Sequence, residues 1–510
     1  MGALASGAVV AAVSLESCNT HQPGSTTTTT ALRPPTSSDW RRLANSLTGT
    51  LVLPSSAAYG IDRLLYNSKF VDLHPEAIAY CASADDVGRC VDFVSSHILQ
   101  VAARSGGHSF GGYSSCNGLV IDVSRLKSIS VNTNTNIATV EAGATLIDVY
   151  NSIGAHNRLL PGGSCPTVGI AGLTLGGGVG VFGRKFGLTC DNLRSIDIVT
   201  PDGQLLTANA GNHADLFWAC QGGGGGNLGV ATSFDFNVHP MPEVTLFTLQ
   251  YPWSEAATMV EAWQHWVHSA PDELWSNCQL LSQGSYGFLA QMSGVYCGSQ
   301  SALARLLASL QSDIGAKPTY SFIESNDYLD AMKIEAGCSG LSIASCHLPS
   351  QNPDGHLSRS AFSAKSSYVN APMTNAQAAL MVDAIVNLHT HAPTVGGALA
   401  FDAYGGAINR VAADQTAFVH RDKLACIKAT YSWSSATPPS EINAGQAWLT
   451  WLGSDVFNPR TGAYQNYIDP TLSNWKTAYY GTNLERLSKV KHRNDPENRF
   501  AFAQSIPLSL

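Results

Sequence analysis

Two glycine-dense stretches limit what this chain can fold into. The first runs Gly169-Ile170-Ala171-Gly172-Leu173-Thr174-Leu175-Gly176-Gly177-Gly178-Val179-Gly180. The second runs Gln221-Gly222-Gly223-Gly224-Gly225-Gly226-Asn227-Leu228-Gly229-Val230-Ala231-Thr232. Glycine loses more backbone freedom on folding than any other residue. Apolar sequence flanks the second run on both sides, so it does not read as a flexible linker. Such runs are tolerated where main chain wraps a ligand. The first run is not a P-loop, because no Gly-Lys-Ser/Thr follows, and it lacks the strand and the acidic residue about 20 positions on that complete a dinucleotide fingerprint. A nest of backbone N–H groups for a diphosphate remains, beside the plainer reading of a tight structural turn.

Two further segments carry reactive side chains on glycine-rich backbone. One is Arg104-Ser105-Gly106-Gly107-His108-Ser109, and the other is Pro161-Gly162-Gly163-Ser164-Cys165-Pro166-Thr167-Val168-Gly169. Gly106 and Gly107 allow close approach to a flat ligand or a phosphate, and Arg104 offers a charge for one. Taken alone, the first segment reads equally well as a glycine turn with a surface histidine.

At 510 residues the chain is too long for one small core. Residues 1–38 read as a signal-like segment and Ser/Thr-rich linker. From 39 to 240, short strands at 77–81, 99–104, 118–122 and 137–141 alternate with helices at 84–94 and 145–154. After about residue 240 the texture changes. Val244–Tyr251 alternates as a half-buried strand, a helix covers 256–270, strands follow at Leu280-Leu281, Phe288–Met292 and Val295-Tyr296, and a helix covers 301–310. The spacing therefore predicts an α+β chain: a first domain over 39–240, a second with an antiparallel sheet backed by helices over 241–457, and a C-terminal segment over 458–510.

Composition narrows the setting. Charged residues make up 13% and the formal net charge is -8. With no long basic run, a nucleic-acid partner is not expected. Gly2–Leu15 is small and apolar, and Cys18 and a threonine-rich run follow. This resembles an exported protein's signal with a lipoprotein cysteine. It lacks a leading Lys or Arg and carries Glu16 where a small residue is expected, and a disordered tail is the plainer alternative. The apolar stretch is too short to span a membrane. The twelve cysteines are scattered with no CxxC pair, so no metal site is expected. Cys338 and Cys346 are the best local candidates for pairing.

Six stretches in order identify a resemblance: Arg104–Ser109, Gly163–Gly169, Asp215-Leu216-Phe217-Trp218-Ala219, Gly224–Gly229, Tyr464-Gln465-Asn466-Tyr467 and Asn494–Phe500. From about residue 39 onward the chain resembles the berberine bridge enzyme-like FAD oxidases of the vanillyl-alcohol oxidase superfamily. The resemblance implies a two-part FAD-binding domain plus a substrate domain. It implies FAD bonded at its 8α-methyl carbon to His108 and at C6 to Cys165. The rest of the FAD site would comprise Arg104, Ser105, Gly106, Gly107, Ser109, Pro166, Thr167, Val168, Gly169, Gly172, Gly176, Gly177, Gly229, Val230 and Asn466. Tyr467 matches the family's usual base, with Tyr464 as its neighbour and Asp402 as an acidic partner that could take the proton onward. Each has a plainer reading: a packed aromatic for Tyr467, a strand-end carboxylate bonded to backbone for Asp402.

Phe110 and Tyr404 are the expected substrate contacts. Phe110 stands where many members carry tyrosine. No glutamate near Cys426-Ile427-Lys428 matches the base of the alkaloid-oxidising members. Gly397–Phe401 lacks the Trp and Gln of some oligosaccharide oxidases. The expectation is an oxidase that takes a hydride from an alcohol carbon of a small, carbohydrate-like substrate and reduces O2 to H2O2. Oxidation of a secondary-metabolite alcohol, a dehydrogenase with another electron acceptor, and a surface protein that merely retains flavin are the alternatives. The sequence carries no signal for oligomeric state.

Overall fold

The computed structural model describes residues 32–457 and 461–510. Cys18 and most of the signal-like segment lie outside the described residues. The N-terminal part holds two sheets. In the first, β1 (Thr50–Val52), β2 (Ala77–Tyr80), β3 (Val101–Arg104) and β4 (Leu119–Asp122) lie in the order β1-β2-β4-β3, with β2, β4 and β3 parallel. Leu119–Asp122 is buried throughout, its Leu-Val-Ile run as expected of a parallel strand and its Asp122 paired with Arg104. Ser83 caps the helix Ala84–Ser95 by accepting from the Asp86 N–H. The Asp86 carboxylate in turn accepts from the N–H groups of Thr48 and Gly49, both at 2.8 Å, which ties β1 to that helix.

The second sheet is antiparallel, in the order β5-β6-β10-β8-β9: β5 (Ile129–Asn132), β6 (Ile137–Glu141), β8 (Leu193–Val199), β9 (Leu205–Asn209) and β10 (Val230–Asn237). A ribbon pairs β7 (Arg158–Leu159) with β11 (His239–Pro240). The glycine runs emerge at the ends of these elements, one around the short helix Ile170–Leu175 and the other between the helix Ala214–Cys220 and β10.

The third sheet has seven strands: β12 (Val244–Tyr251), β13 (Leu274–Gln283), β14 (Phe288–Tyr296), β15 (Tyr320–Asn326), β16 (Ala361–Val369), β17 (Gly396–Ala403) and β18 (Ala425–Trp433). Its order is β15-β12-β14-β13-β17-β18-β16, and every pairing is antiparallel. One face packs on helices Ala256–Ser269 and Asn375–His391 through residues such as Trp263, Leu280, Leu388 and Phe401. The other face is polar and stays open toward the glycine loops. Two strands expected at Phe288–Met292 and Val295-Tyr296 are one strand, because Ser293 and Gly294 keep their ladder partners Asn277 and Ser276. Leu280-Leu281 is likewise the middle of a ten-residue strand.

The C-terminal helix Leu484–Asn494 returns to the first part of the chain and packs on the helix Ala214–Cys220. Lys491 is fully buried. Its ammonium donates to the Asp495 carboxylate at 2.6 Å, to Phe500 O at 2.8 Å and to Asn227 O in the second glycine run at 2.7 Å. A buried pair loses more when one partner is removed than it contributes intact, because the other charge is stranded. Lys491→Met should therefore lower unfolding free energy by about 3–5 kcal/mol, read as a fall in the denaturant midpoint. A shift under about 1 kcal/mol, the range of exposed pairs, would show that the pair is not buried as described.

Candidate functional site

A cavity of about 790 Å3 lies between the glycine loops and the open face of the seven-stranded sheet. One wall is the loop after β3, joined by the segment 163–175 and by Gly225, Gly226, Gly229 and Val230. Two loops meet there at Gly106 and Gly169, with the Ser105 side chain beside them. A Cβ on Gly106 would come within 2.3 Å of Gly169 N, and one on Gly169 within 2.4 Å of Gly106 N. This contact sets His108 and Cys165 on one wall.

Thr167 links the two. His108 Nε2 lies 2.8 Å from Thr167 Oγ1, and Cys165 Sγ lies 3.8 Å from the same oxygen. The His108 ring stacks on Tyr66 with centroids 4.0 Å apart. Burial pushes the His108 pKa down to about 3, so the imidazole is neutral and can act as a nucleophile. Burial also raises the Cys165 thiol above its ordinary value.

The opposite wall is the sheet. Successive residues of a strand face opposite sides, so alternate positions share the cavity face. These are Thr248 on β12, Trp275, Asn277 and Gln279 on β13, Gln291 and Ser293 on β14, Ala400 and Asp402 on β17, and Lys428, Thr430 and Ser432 on β18. Hydrogen bonds chain some of them together: Gln250 Nε2 donates to Gln291 Oε1 at 3.1 Å, Gln291 Nε2 to Gln279 Oε1 at 3.4 Å, and Ser293 Oγ to Asn277 Oδ1 at 2.7 Å. Asn277 is the cross-strand partner of Asp402, and Gln279 pairs with Ala400, which pairs with Lys428.

Tyr467 stands at the junction of the two walls. It lines the cavity together with Asp402, and Phe110 stacks on its ring at 5.3 Å. Lys428 Nζ sits 5.0 Å from the ring centroid, within cation–π range. Burial raises the Tyr467 pKa well above its ordinary value, and the nearby Asp402 charge raises it further. Burial also raises Asp402, while the Lys428 charge pulls it down. Glu335, the last residue of the helix Tyr328–Glu335, enters the same cavity. Lys428, Glu335 and the amide row were not singled out from the sequence. Polar residues at every second position of β13, β14 and β18 were the available signal.

The residues expected at the site divide into those on the cavity and those behind it. Ser105, Gly107, Ser109, Phe110, Val168, Gly172, Gly229, Val230, Tyr464 and Asn466 line it. Arg104 lines it too, but its Nε donates to Asp122, so its charge is mostly used within the fold and only Nη1 lacks a protein partner. Pro166 and Thr167 lie behind the wall. Gly176 and Gly177 do not line the cavity. A Cβ on Gly176 would strike Asn466 Oδ1 at 1.9 Å, and Gly177, at φ +121°, faces the Phe418 ring. Protein packing, not ligand approach, requires glycine there. Tyr404 is not a wall residue either. It follows the end of β17, is buried, and its hydroxyl lies 3.3 Å from that of Tyr368. Tyr464 is held rather than free: its oxygen accepts from Gly178 N at 3.1 Å, Val179 N at 3.2 Å and Asn466 Nδ2 at 3.0 Å. Burial pushes its pKa up to about 12. Tyr464→Phe would strand these donors and should cost about 1–3 kcal/mol of stability in a denaturant titration. An unchanged midpoint would mean that this oxygen is not the acceptor.

A family model described as FAD binding domain matches residues 75–209, and one described as Berberine and berberine like matches residues 463–507. The FAD-linked oxidoreductase YgaK of Bacillus subtilis (strain 168) is 32% identical, over 90% of this chain and 97% of its own length. The structure of Physcomitrella patens BBE-like 1 superposes with a TM-score of 0.82 at 28% identity, covering 92% of this chain and 99% of that one. Glucooligosaccharide oxidase from Acremonium strictum, a structure described as carrying 6-S-cysteinyl, 8α-N1-histidyl FAD, gives 0.80 at 25% identity with the same coverages. Among the described residues no helix is long and apolar enough to cross a membrane. With both family models matched in order and the full-length fold shared, the chain belongs to the berberine bridge enzyme-like FAD-linked oxidoreductases.

Proposed function

We propose that this protein is an oxidase that takes a hydride from the hydroxyl-bearing carbon of a carbohydrate-like substrate and passes the two electrons to dioxygen, releasing hydrogen peroxide. Bound in the cavity, FAD supplies the hydride acceptor and the reductant for dioxygen. The residues present fit that group. Arg104 Nη1 is buried without a protein partner, and Gly172 on the wall has no atom within 4 Å of where a Cβ would sit. Their place on one wall supports attachment through both His108 and Cys165. With Nε2 engaged by Thr167, His108 keeps its other ring nitrogen for the cofactor.

The observation that carries the reading is that Tyr467 and Asp402 share the cavity, with the Asp402 charge acting on the phenol and Lys428 Nζ 5.0 Å from the Tyr467 ring centroid. A phenol is too weak a base alone near neutrality. Here the Asp402 carboxylate can receive the phenolic proton as the Tyr467 oxygen receives the substrate's hydroxyl proton, so no free phenolate accumulates. The Lys428 ammonium, beside both groups, offsets negative charge as the proton moves. The row Asn277, Gln279, Gln291 and Ser293 offers both donors and acceptors, which suits a polyhydroxylated substrate.

Anaerobic mixing with a panel of sugars and simple alcohols tests the reading. Sugars should bleach the flavin and air should restore it quickly. Bleaching by no sugar would end the carbohydrate reading, and slow recovery in air would favour another electron acceptor. Tyr467→Phe should slow bleaching by about a hundred- to ten-thousand-fold. Asp402 must be ionised to accept the proton, and its pKa is raised. Bleaching should therefore weaken as pH falls through that raised value, and Asp402→Asn should be slow and flat with pH over that range. Acid-precipitated protein should keep its yellow colour in the wild type and lose it only when both His108 and Cys165 are replaced by alanine.

A further inference from the structure

Glu335 has no part in the chemistry above, yet it is placed as if for a ligand. It ends the helix Tyr328–Glu335, which is fixed at its start by the fully buried Tyr328. That ring packs against Tyr150 at 5.9 Å and Phe182 at 5.6 Å, and Asp327 caps the helix by accepting from the Asp330 N–H. The carboxyl is therefore delivered by an anchored element. It lies on the cavity wall, within electrostatic reach of Asp402.

The charges around it are already committed. Lys428, on β18, offsets Asp402 and sits over the Tyr467 ring. Lys333, on the same helix, is 3.7 Å from Asp330. Among the described residues, the remaining titratable groups on the cavity wall are the Tyr467, Tyr464, Tyr113 and Tyr66 phenols, the Cys165 thiol and His108, none of which supplies a cation, and the Arg104 guanidinium, which is paired with Asp122. Glu335 thus shares the cavity with a second carboxyl and, among the described residues, has no cation paired with it, at a helix C-terminus whose dipole also disfavours negative charge. Burial, and then Asp402, push its pKa up to about 7. A ligand bearing one positive charge would balance Asp402, Lys428 and Glu335, and a charge-assisted hydrogen bond is about twice as strong as a neutral one.

We propose that Glu335 selects a substrate carrying a protonated amine beside the hydroxyl that is oxidised, an amino sugar in chemical class, and that its carboxylate takes the ammonium. The amide row would hold the remaining hydroxyls. This rests on the carbohydrate reading given above, and it deepens that reading by naming a charge.

Glucosamine and glucose, titrated into the holoprotein while the oxidised-flavin spectrum is followed, test it. Slightly above neutrality the wild type should half-saturate with glucosamine at about tenfold lower concentration than with glucose, equivalent to about 1.4 kcal/mol. The advantage should shrink as pH falls through about 7 and Glu335 gains its proton. Glu335→Gln should remove the advantage and leave glucose within about twofold, while Glu335→Asp, which keeps the charge, should retain part of it. Equal half-saturation in the wild type, or an advantage that survives in Glu335→Gln, overturns the proposal. So does an equal loss of bleaching rate for both sugars with unchanged half-saturation, which would make Glu335 a proton carrier instead. Bleaching by neutral sugars with no amine preference would overturn this inference alone. A Glu335-dependent amine preference without bleaching by any sugar would overturn the oxidation reading and leave this one standing.

Discussion

The backbone contact between Gly106 and Gly169 is the constraint on which the cavity depends. Neither position has room for a Cβ: one on Gly106 would be driven into Gly169 N, and one on Gly169 into Ser105 Oγ and Gly106 N. The loop after β3 and the loop before the helix Ile170–Leu175 can meet at these two positions only as bare main chain. That meeting brings His108 and Cys165, far apart in sequence, onto one wall. Thr167 then fixes both, through a 2.8 Å contact to the imidazole and a 3.8 Å contact to the thiol. A flat ligand held at two edges from that wall must present its other face to the sheet.

The sheet answers with side chains on a stiff frame. Its helix face is packed with Trp263, Leu280 and Phe401, so the strands cannot twist independently, and the cavity-facing row is held in register by pairings that run the length of each strand. Asp402, Lys428 and the amide row inherit that rigidity. Preorganised polar groups act more strongly than mobile ones because no reorganisation is needed when charge shifts. Tyr467, from the C-terminal segment, joins the two walls.

Much of the first wall was legible in the sequence because its signal is local. A glycine beside a histidine or a cysteine announces close approach within a few residues, and the order of six short motifs identified the family. The same signal overreached at Gly176 and Gly177. A glycine run says that a Cβ would collide, but not with what, and here the obstacles are Asn466 and Phe418. Tyr404 lies off the wall because β17 ends at Ala403 and Gly405, at φ +97°, turns the chain, so strand alternation does not extend to it. Lys428, Gln279 and Gln291 escaped notice because their significance lies in cross-strand register, which is set by long-range pairing and not by neighbours in sequence.

The two walls also divide the electrostatic work. On the glycine wall the described cation, Arg104, is neutralised by Asp122, and His108 is held neutral by burial, so that wall offers hydrogen-bond donors and nucleophiles more than charge. The sheet wall carries Asp402 and Lys428, and Glu335, at the end of the helix Tyr328–Glu335, lines the same cavity. In a cavity partly shielded from water, interactions among these groups are stronger than at the surface. A proton moved from Tyr467 to Asp402 changes the field felt by Glu335, and a cation bound at Glu335 would in turn make Asp402 a weaker base. On the proposed mechanism, the position of charge in a substrate and the ease of its deprotonation would be coupled through Asp402, Lys428 and Glu335.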